Sequence, residues 1–395
     1  MTFSFPWLLE PITPEAFFAD FYERHPLLIA RGEPSRYQAL LNLAGIDRFL
    51  ATTSPCHPDV FLVDAARKLS AEDYTLAEPE GAGQLDLARA YELFRTGATI
   101  SIRRMHESVA ELAALCRAME KVFSAHFQSN IYLSPPQAQG FGTHFDSHDV
   151  FVLQVAGSKV WTLYDTAIEL PLHGQGFDKA AHQPGPPTRE LTLRAGDLFY
   201  CPRGLFHSAR ATEDISLHIT LGLIGKTWAD IMAEAVSAAC LAAPAFRANL
   251  PAGFANPDFD AGAASATFRA LVQRFAREAE LTPILERMAQ DFVTSRRPDF
   301  AGTLQELEPD QTLKSATRLA ARPNLIWRLK AEESEVHLLF GASRLRFPAV
   351  AAQPLRFALS GEPFEVGALP GRLDEAGKIV LARRLLREGV LLRCP

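Results

Sequence analysis

Apolar residues recur at helical spacing at both ends of the chain and alternate with polar ones through its middle. Near the start, Phe17, Phe18 and Phe21 follow Thr13-Pro14-Glu15, a helix start with Pro in the first turn and Ala16 where a capping-box acid would stand. Pro26-Leu27-Leu28-Ile29-Ala30 reads as a short apolar strand, and Leu40, Leu41, Leu43, Ile46, Phe49 and Leu50 as the apolar face of a second helix. The stretch 51–84, richer in Pro, Gly and charge, is expected to run over the surface. Residues 85–97 resume a helix, 99–102 alternate as a strand, and 109–127 carry a long amphipathic helix.

Six strand patterns follow, at 129–134, 149–155, 159–164, 189–193, 197–201 and 215–223, separated by Gly and Pro turns. Short strands with no interleaved helices predict a sandwich or jelly roll rather than a parallel α/β sheet. The loop 166–187, which carries His173 and His182, is long enough to serve as a lid or to face a substrate. After Lys226 the period returns to helical: Ile231, Ala235, Ala238 and Ala239, then Phe268, Leu271, Val272 and Phe275, then Ile284, Leu285, Met288 and Phe292, with a connection at 251–264. Arg296-Arg297-Pro298 to Glu308-Pro309 marks a boundary. Beyond it, strands at 326–329, 336–340 and 344–347 precede a helix at 374–388 and Val390-Leu391-Leu392, the order of a small helical domain with a β-wing.

Composition narrows the class. At 395 residues, 48% hydrophobic and 22% charged, the chain has the make-up of a globular protein of two or three domains. No apolar run approaches the roughly 20 residues that cross a bilayer, and the first residues lack the basic and apolar regions of a secretory signal, so a cytoplasmic protein is expected. Five widely spaced cysteines with no CxxC point to reduced thiols rather than a disulfide framework or a zinc site. The net charge of −6 argues against binding nucleic acid through the whole surface. Charge is uneven, however: from Lys314 onward Lys and Arg exceed Asp and Glu by about six. Affinity for an acidic partner would lie there, although solvated helix faces are the preferred account of the excess.

The chemistry concentrates in two stretches. In Gly142-Thr143-His144-Phe145-Asp146-Ser147-His148, His144 and Asp146 stand at i, i+2, so an extended backbone sends both side chains to one face. The second, Gly196-Asp197 through Pro202-Arg203-Gly204-Leu205-Phe206-His207, reads as a strand, a bend and a return that delivers His207. Two histidines and a carboxylate can occupy one face of a non-haem iron and leave the opposite positions open. A third ligand from His148 on the same strand would lie about 13 Å along it, so His148 is read as pocket lining or surface. His218, alternating with apolar neighbours, is either pocket lining or a hydrogen-bonded core histidine, the second preferred. Lys159 shares parity with Trp161 after the turn Ala156-Gly157-Ser158, and Asn130 shares parity with Tyr132. A Lys159 ammonium turned inward would need an anion, and no acid of matching parity is near; a carboxylate on a small co-substrate is one answer, a solvent-facing hairpin lysine the other.

Together these residues resemble the JmjC-type, cupin-fold 2-oxoglutarate oxygenases of the ribosomal oxygenase group. The resemblance runs over nearly the whole chain. It is carried by His25-Pro26-Leu27-Leu28-Ile29 and, most specifically, by His144-Phe145-Asp146 together with the segment from Asp149 to Trp161. It implies that His144, Asp146 and His207 bind Fe(II), and that Lys159, fifteen positions after the first ligand, binds the distal carboxylate of 2-oxoglutarate with Asn130 and Tyr132 lining its pocket. The HxD pair departs from the HxH of the general cupin pattern, which disfavours metal isomerases and dioxygenases that do without 2-oxoglutarate.

The fold implied is α+β. A double-stranded β-helix (cupin or jelly-roll) catalytic domain with N-terminal helices spans 1–225, a helical dimerisation domain 226–300, and a winged-helix-like domain 301–395. The activity implied is hydroxylation of an amino-acid side chain in a protein or peptide, in the known group a ribosomal protein, by a homodimer. The alternative is a regulatory or nucleic-acid-binding winged-helix protein whose cupin domain senses a ligand or is inactive.

Overall fold

The structure, a computed structural model, describes residues 3–76, 83–301, 303 and 313–394. It divides into two compact units, 1–225 and 226–395.

The first unit opens with α1 (Phe5–Leu9) and α2 (Pro14–Asp20). The Thr13 hydroxyl accepts from the Ala16 amide at 3.2 Å, so the cap forms without a capping-box acid. After β1 (Leu27–Ile29), α3 (Leu43–Thr52) starts later than the apolar pattern indicates, because Asn42 caps it by accepting from the Gly45 amide at 2.9 Å. Leu40 and Leu41 are buried in the turn before it, and Leu43 is exposed. The expectation of a surface run over 51–84 needs correction: it contains β2 (Val60–Val63), which pairs with β3 (Thr99–Ile102) after α4 (Leu87–Arg95).

Helix α5 (Ala110–Phe123) is shorter than expected. Its C-cap, Ser124, takes a left-handed conformation with φ of 48°, and β4 (His126–Ser134) begins two residues later. There follow β5 (Asp149–Ala156), β6 (Ser158–Thr166), β7 (Arg189–Arg194), β8 (Leu198–Cys201), β9 (Leu205–Ala211) and β10 (Ser216–Ile224).

The strands make two antiparallel sheets, a large one in the order β1-β8-β5-β10-β4-β3-β2 and a small one in the order β7-β6-β9. Successive side chains leave opposite faces of a strand, so each large-sheet strand feeds two layers. One face packs Ile131, Phe151, Leu153, Tyr200, Leu217 and Ile219 against the helices through Phe5, Phe17, Leu112 and Leu115. The other packs Val150, Val152, Phe199 and Cys201 against Trp161, Leu163, Leu191 and Leu193 of the small sheet. This is the layered architecture of a jelly roll or cupin. Between β5 and β6 the chain reverses through Gly157 at φ +60°, where a Cβ would lie 2.3 Å from the Ile215 carbonyl oxygen.

The second unit contains α6 (Trp228–Ala242), α7 (Ala261–Glu278) and α8 (Leu281–Thr294). Asp260 caps α7 by accepting from the Gly262 amide at 2.9 Å, so this helix reaches into the expected connection 251–264. Beyond lie β11 (Arg318–Ala321), β12 (Trp327–Ala331), β13 (Glu335–Phe340), β14 (Ser343–Pro348), α9 (Ala352–Ala358), β15 (Phe364–Glu365), α10 (Glu375–Arg387) and β16 (Leu391–Arg393). They form sheets β12-β13-β14 and β15-β11-β16 around Leu338, Leu345, Leu355, Leu385 and Val390. The expected boundary at Glu308-Pro309 falls outside the described residues.

Candidate metal centre

The segment 142–148 is not a regular strand, yet it is extended where it matters. His144 forms one antiparallel bridge with His207 of β9: the His144 amide donates to the His207 carbonyl at 3.1 Å and the His207 amide returns a bond at 2.8 Å. Asp146 is tied in turn, its carbonyl accepting from the Gly204 amide at 2.9 Å. Phe145, between the two, turns away into a cage of Phe177, His182 and Phe206, with ring centroids at 5.7, 5.2 and 5.5 Å. The i, i+2 logic therefore holds locally, and part of the 166–187 loop is used to hold it.

The outcome is a three-residue cluster. Ligand atoms of His144, Asp146 and His207 lie within 4.8 Å of one another, and His207 Nε2 stands 3.8 Å from Asp146 Oδ2. His144 Nδ1 hydrogen bonds to the Gly142 carbonyl at 2.9 Å and His207 Nδ1 to the Leu205 carbonyl at 3.0 Å. When Nδ1–H donates to the backbone, Nε2 carries the free lone pair, which is how metal-binding imidazoles are oriented. Burial and then the neighbouring His144 hold His207 well below the usual histidine range, so the ring is neutral at pH 7 and able to bind a cation. The donor set fits a divalent transition metal held on one side.

These side chains open onto a cavity of about 630 Å³, lined also by Asn130, Tyr132, Lys159, Trp161 and His218. Lys159 is 4% exposed. Its Nζ donates to Ser134 Oγ at 2.9 Å, and that hydroxyl bonds Thr99 Oγ1 at 2.8 Å. Among the described residues no carboxylate pairs with it, and burial pushes it down to about 7. When charged, an ammonium with only a hydroxyl for company is able to pair with an anion that enters the cavity. Asn130 Oδ1 accepts from the Arg104 amide at 3.1 Å, and the Tyr132 ring stacks on His218 with centroids 4.9 Å apart.

The remaining histidines sort themselves. His148 stands outside the cluster; its ring covers Gly222, where a Cβ would lie 2.9 Å from Nε2. His182 packs on Phe145, and the His173 carbonyl accepts from Ser147 Oγ at 3.5 Å. The preference for a hydrogen-bonded core His218 is corrected: the ring lines the cavity and its Nδ1 has no partner among the described residues, because pairing opposite Tyr132 fixes the face it presents. A buried lock also went unread in the sequence. Arg203 donates to Asp149 Oδ2 at 2.8 Å and to Glu23 Oε1 at 2.5 Å, and the Tyr200 hydroxyl donates to Asp149 Oδ1 at 2.7 Å. It fixes the turn before His207 to the strand that follows Asp146.

Comparison with known proteins bears on the domain and the fold. The family model of the JmjC domain matches residues 104–231. Ribosomal oxygenase 1 of Bos taurus is 30% identical over 312 residues, covering 74% of this chain and 46% of that protein. Ribosomal oxygenase 2 of Bos taurus is 30% identical, covering 75% and 65%. The chain spans about half the length of the curated relatives it matches first. Among solved structures, YcfD, a ribosomal oxygenase from Escherichia coli in complex with cobalt and succinic acid, aligns over 98% of this chain and 99% of its own with a TM-score of 0.55 at 15% identity. That likeness shows the fold, a cupin-type architecture with both helices and strands, and the JmjC match lies within it.

Proposed function

We propose that this chain, which carries a JmjC domain and is a relative of the ribosomal oxygenases, is an Fe(II)- and 2-oxoglutarate-dependent oxygenase that hydroxylates a side chain of a protein or peptide. The observation that carries the reading is one cavity holding both a His144, Asp146, His207 cluster and a buried Lys159 with no carboxylate partner among the described residues. His144, Asp146 and His207 would hold the metal, Lys159 would pair with the far carboxylate of the co-substrate, and Asn130 and Tyr132 would line its flank. Bound there, ferrous iron supplies the redox chemistry by which dioxygen and 2-oxoglutarate give succinate, carbon dioxide and a hydroxylated C–H bond. The protein supplies geometry and exclusion of water. The Val150, Val152 and Trp161 side chains wall the cavity, and the two backbone-bound imidazoles keep their orientation.

A ribosomal protein is the proposed substrate, from the names of the relatives and from the net charge of −6, which suits a basic partner. Mass spectrometry of host proteins with and without the enzyme tests it: one protein gains a single oxygen atom only when the enzyme is present, and no such protein refutes the substrate class. The rival regulatory reading rests on the basic C-terminal block, and the relatives do not favour it.

The finer organisation belongs to the same proposal. The segment 226–300 would serve in dimerisation, since its helices leave Trp228, Met232 and Val236 exposed at i, i+4, i+8 on α6, and Phe268 and Val272 on α7. The segment 301–395, with its three-stranded β12-β13-β14 sheet, would be winged-helix-like. No described helix is long and apolar enough to cross a membrane; a cytoplasmic location is proposed from the scattered, unbridged cysteines.

A further inference from the structure

His218 lies on β10 between β4 and β5, opposite Tyr132 on one side and Gln154 on the other, and its ring lines the cavity. It is 4% exposed, and its Nδ1 is buried without a partner among the described residues. Nδ1 is thus closed off and unsatisfied, and Nε2, which is not enclosed in that way, is the ring nitrogen able to meet a group entering the cavity. The ring is also clamped. Tyr132 stacks on it at 4.9 Å and 21°, and Trp161 meets it edge-on at 5.9 Å and 68°. It stands beside Lys159, whose charge adds to burial in keeping the imidazole neutral. A neutral imidazole has one N–H to give, and a carboxylate has two oxygens able to accept.

We infer that His218 is a second contact for the far carboxylate of the co-substrate, taking one oxygen while Lys159 takes the other. This rests on the reading of the cavity as a 2-oxoglutarate site. It makes the inner end of the cavity selective for a dicarboxylate through two donors on different strands, β6 and β10, rather than through one cation.

The test uses the full chain loaded with Mn(II), titrated calorimetrically with 2-oxoglutarate and with 2-oxopentanoate, which keeps the keto-acid end and lacks the far carboxylate. His218→Leu is expected to weaken 2-oxoglutarate about tenfold. Affinity for 2-oxopentanoate and for Mn(II) stays unchanged, and His218→Gln, which retains an N–H, recovers part of the loss. Unchanged 2-oxoglutarate affinity in His218→Leu, or equal weakening of both keto acids, overturns the inference. Lys159→Ala separates the two levels: if it abolishes discrimination between the acids while His218→Leu does not, only the His218 contact fails. If the wild type does not discriminate at all, the co-substrate reading fails with it. A measurement that needs no folded variant is the histidine ¹⁵N spectrum of the Zn(II)-loaded wild type. The His218 ring signals move with 2-oxoglutarate and not with 2-oxopentanoate, and stationary signals contradict the contact.

Discussion

The backbones of His144 and His207, both of which line the cavity, exchange two hydrogen bonds, at 3.1 and 2.8 Å. Their rings are consequently held with centroids 4.6 Å apart, neither free to move without the other. A cluster fixed through main chain is preorganised before any ligand arrives, so metal affinity should respond to changes that disturb the backbone around it, even where no ligand is altered.

Arg203 and Asp149 provide one such change. Asp149 is 1% exposed, and the cation that pairs with it is Arg203, itself only partly exposed. Removing one partner of a buried pair leaves a bare charge and typically costs about 3–5 kcal/mol. Arg203→Met should lower the melting temperature and weaken Mn(II) binding, because the turn carrying Gly204 loses its anchor. A variant that melts and binds Mn(II) like the wild type would show that the lock does not support the site.

Gly204 supplies a second. At φ +84° a Cβ would lie 2.0 Å from the Ile168 carbonyl oxygen, so Gly204→Ala must displace the turn whose amide bonds Asp146. Metal affinity is expected to fall by at least tenfold, while Gly174→Ala, placed in open space, leaves it unchanged. The comparison is read from Mn(II) titrations; equal affinities in the two variants would contradict the argument.

Lys159 gives a pH dependence. Burial lowers it from 10.5 to about 7 in the ligand-free protein, so it is charged below about 7 and neutral above. Pairing with a carboxylate needs the charged form, hence affinity for 2-oxoglutarate should fall as pH rises through 7. Stability runs the other way. Between about 7 and 10.5 the unfolded chain holds the proton and the folded one does not, so this group makes the ligand-free protein more stable as pH rises through that window. Lys159→Met should flatten both slopes. A 2-oxoglutarate affinity that is level across neutral pH in the wild type would exclude the pairing.

The exposed row on α6 predicts self-association. Trp228, 71% exposed, and Met232 lie one turn apart on that helix. Replacing Met232 with Glu should convert a dimer into a monomer in sedimentation while 2-oxoglutarate turnover per chain persists. A wild type that sediments as a monomer would refute the proposed dimerisation role.

What could be read in the chain follows from how local each determinant is. The His144, Asp146 pair depends on two residues of one extended segment, and Lys159 with Trp161, or Asn130 with Tyr132, on parity along one strand, so their shared faces were legible. His218 was misread because its face is set by register with β4, a pairing across 86 positions that alternation cannot report. The strand β2 was missed because Val60-Phe61-Leu62-Val63 sits in a stretch of Pro and charge and is buried only by pairing with β3. The Asp149–Arg203 lock joins residues 54 apart and leaves no periodic trace.

Asp146 as a metal-holding carboxylate in a working oxygenase is tested most directly by succinate. The chain with Fe(II), ascorbate, dioxygen and 2-oxoglutarate should form succinate, followed by NMR, and a chelator or Asp146→Ala should remove at least 99% of the rate, about 3 kcal/mol of barrier. Absence of succinate from the wild type, or an equal rate in folded Asp146→Ala, would contradict it.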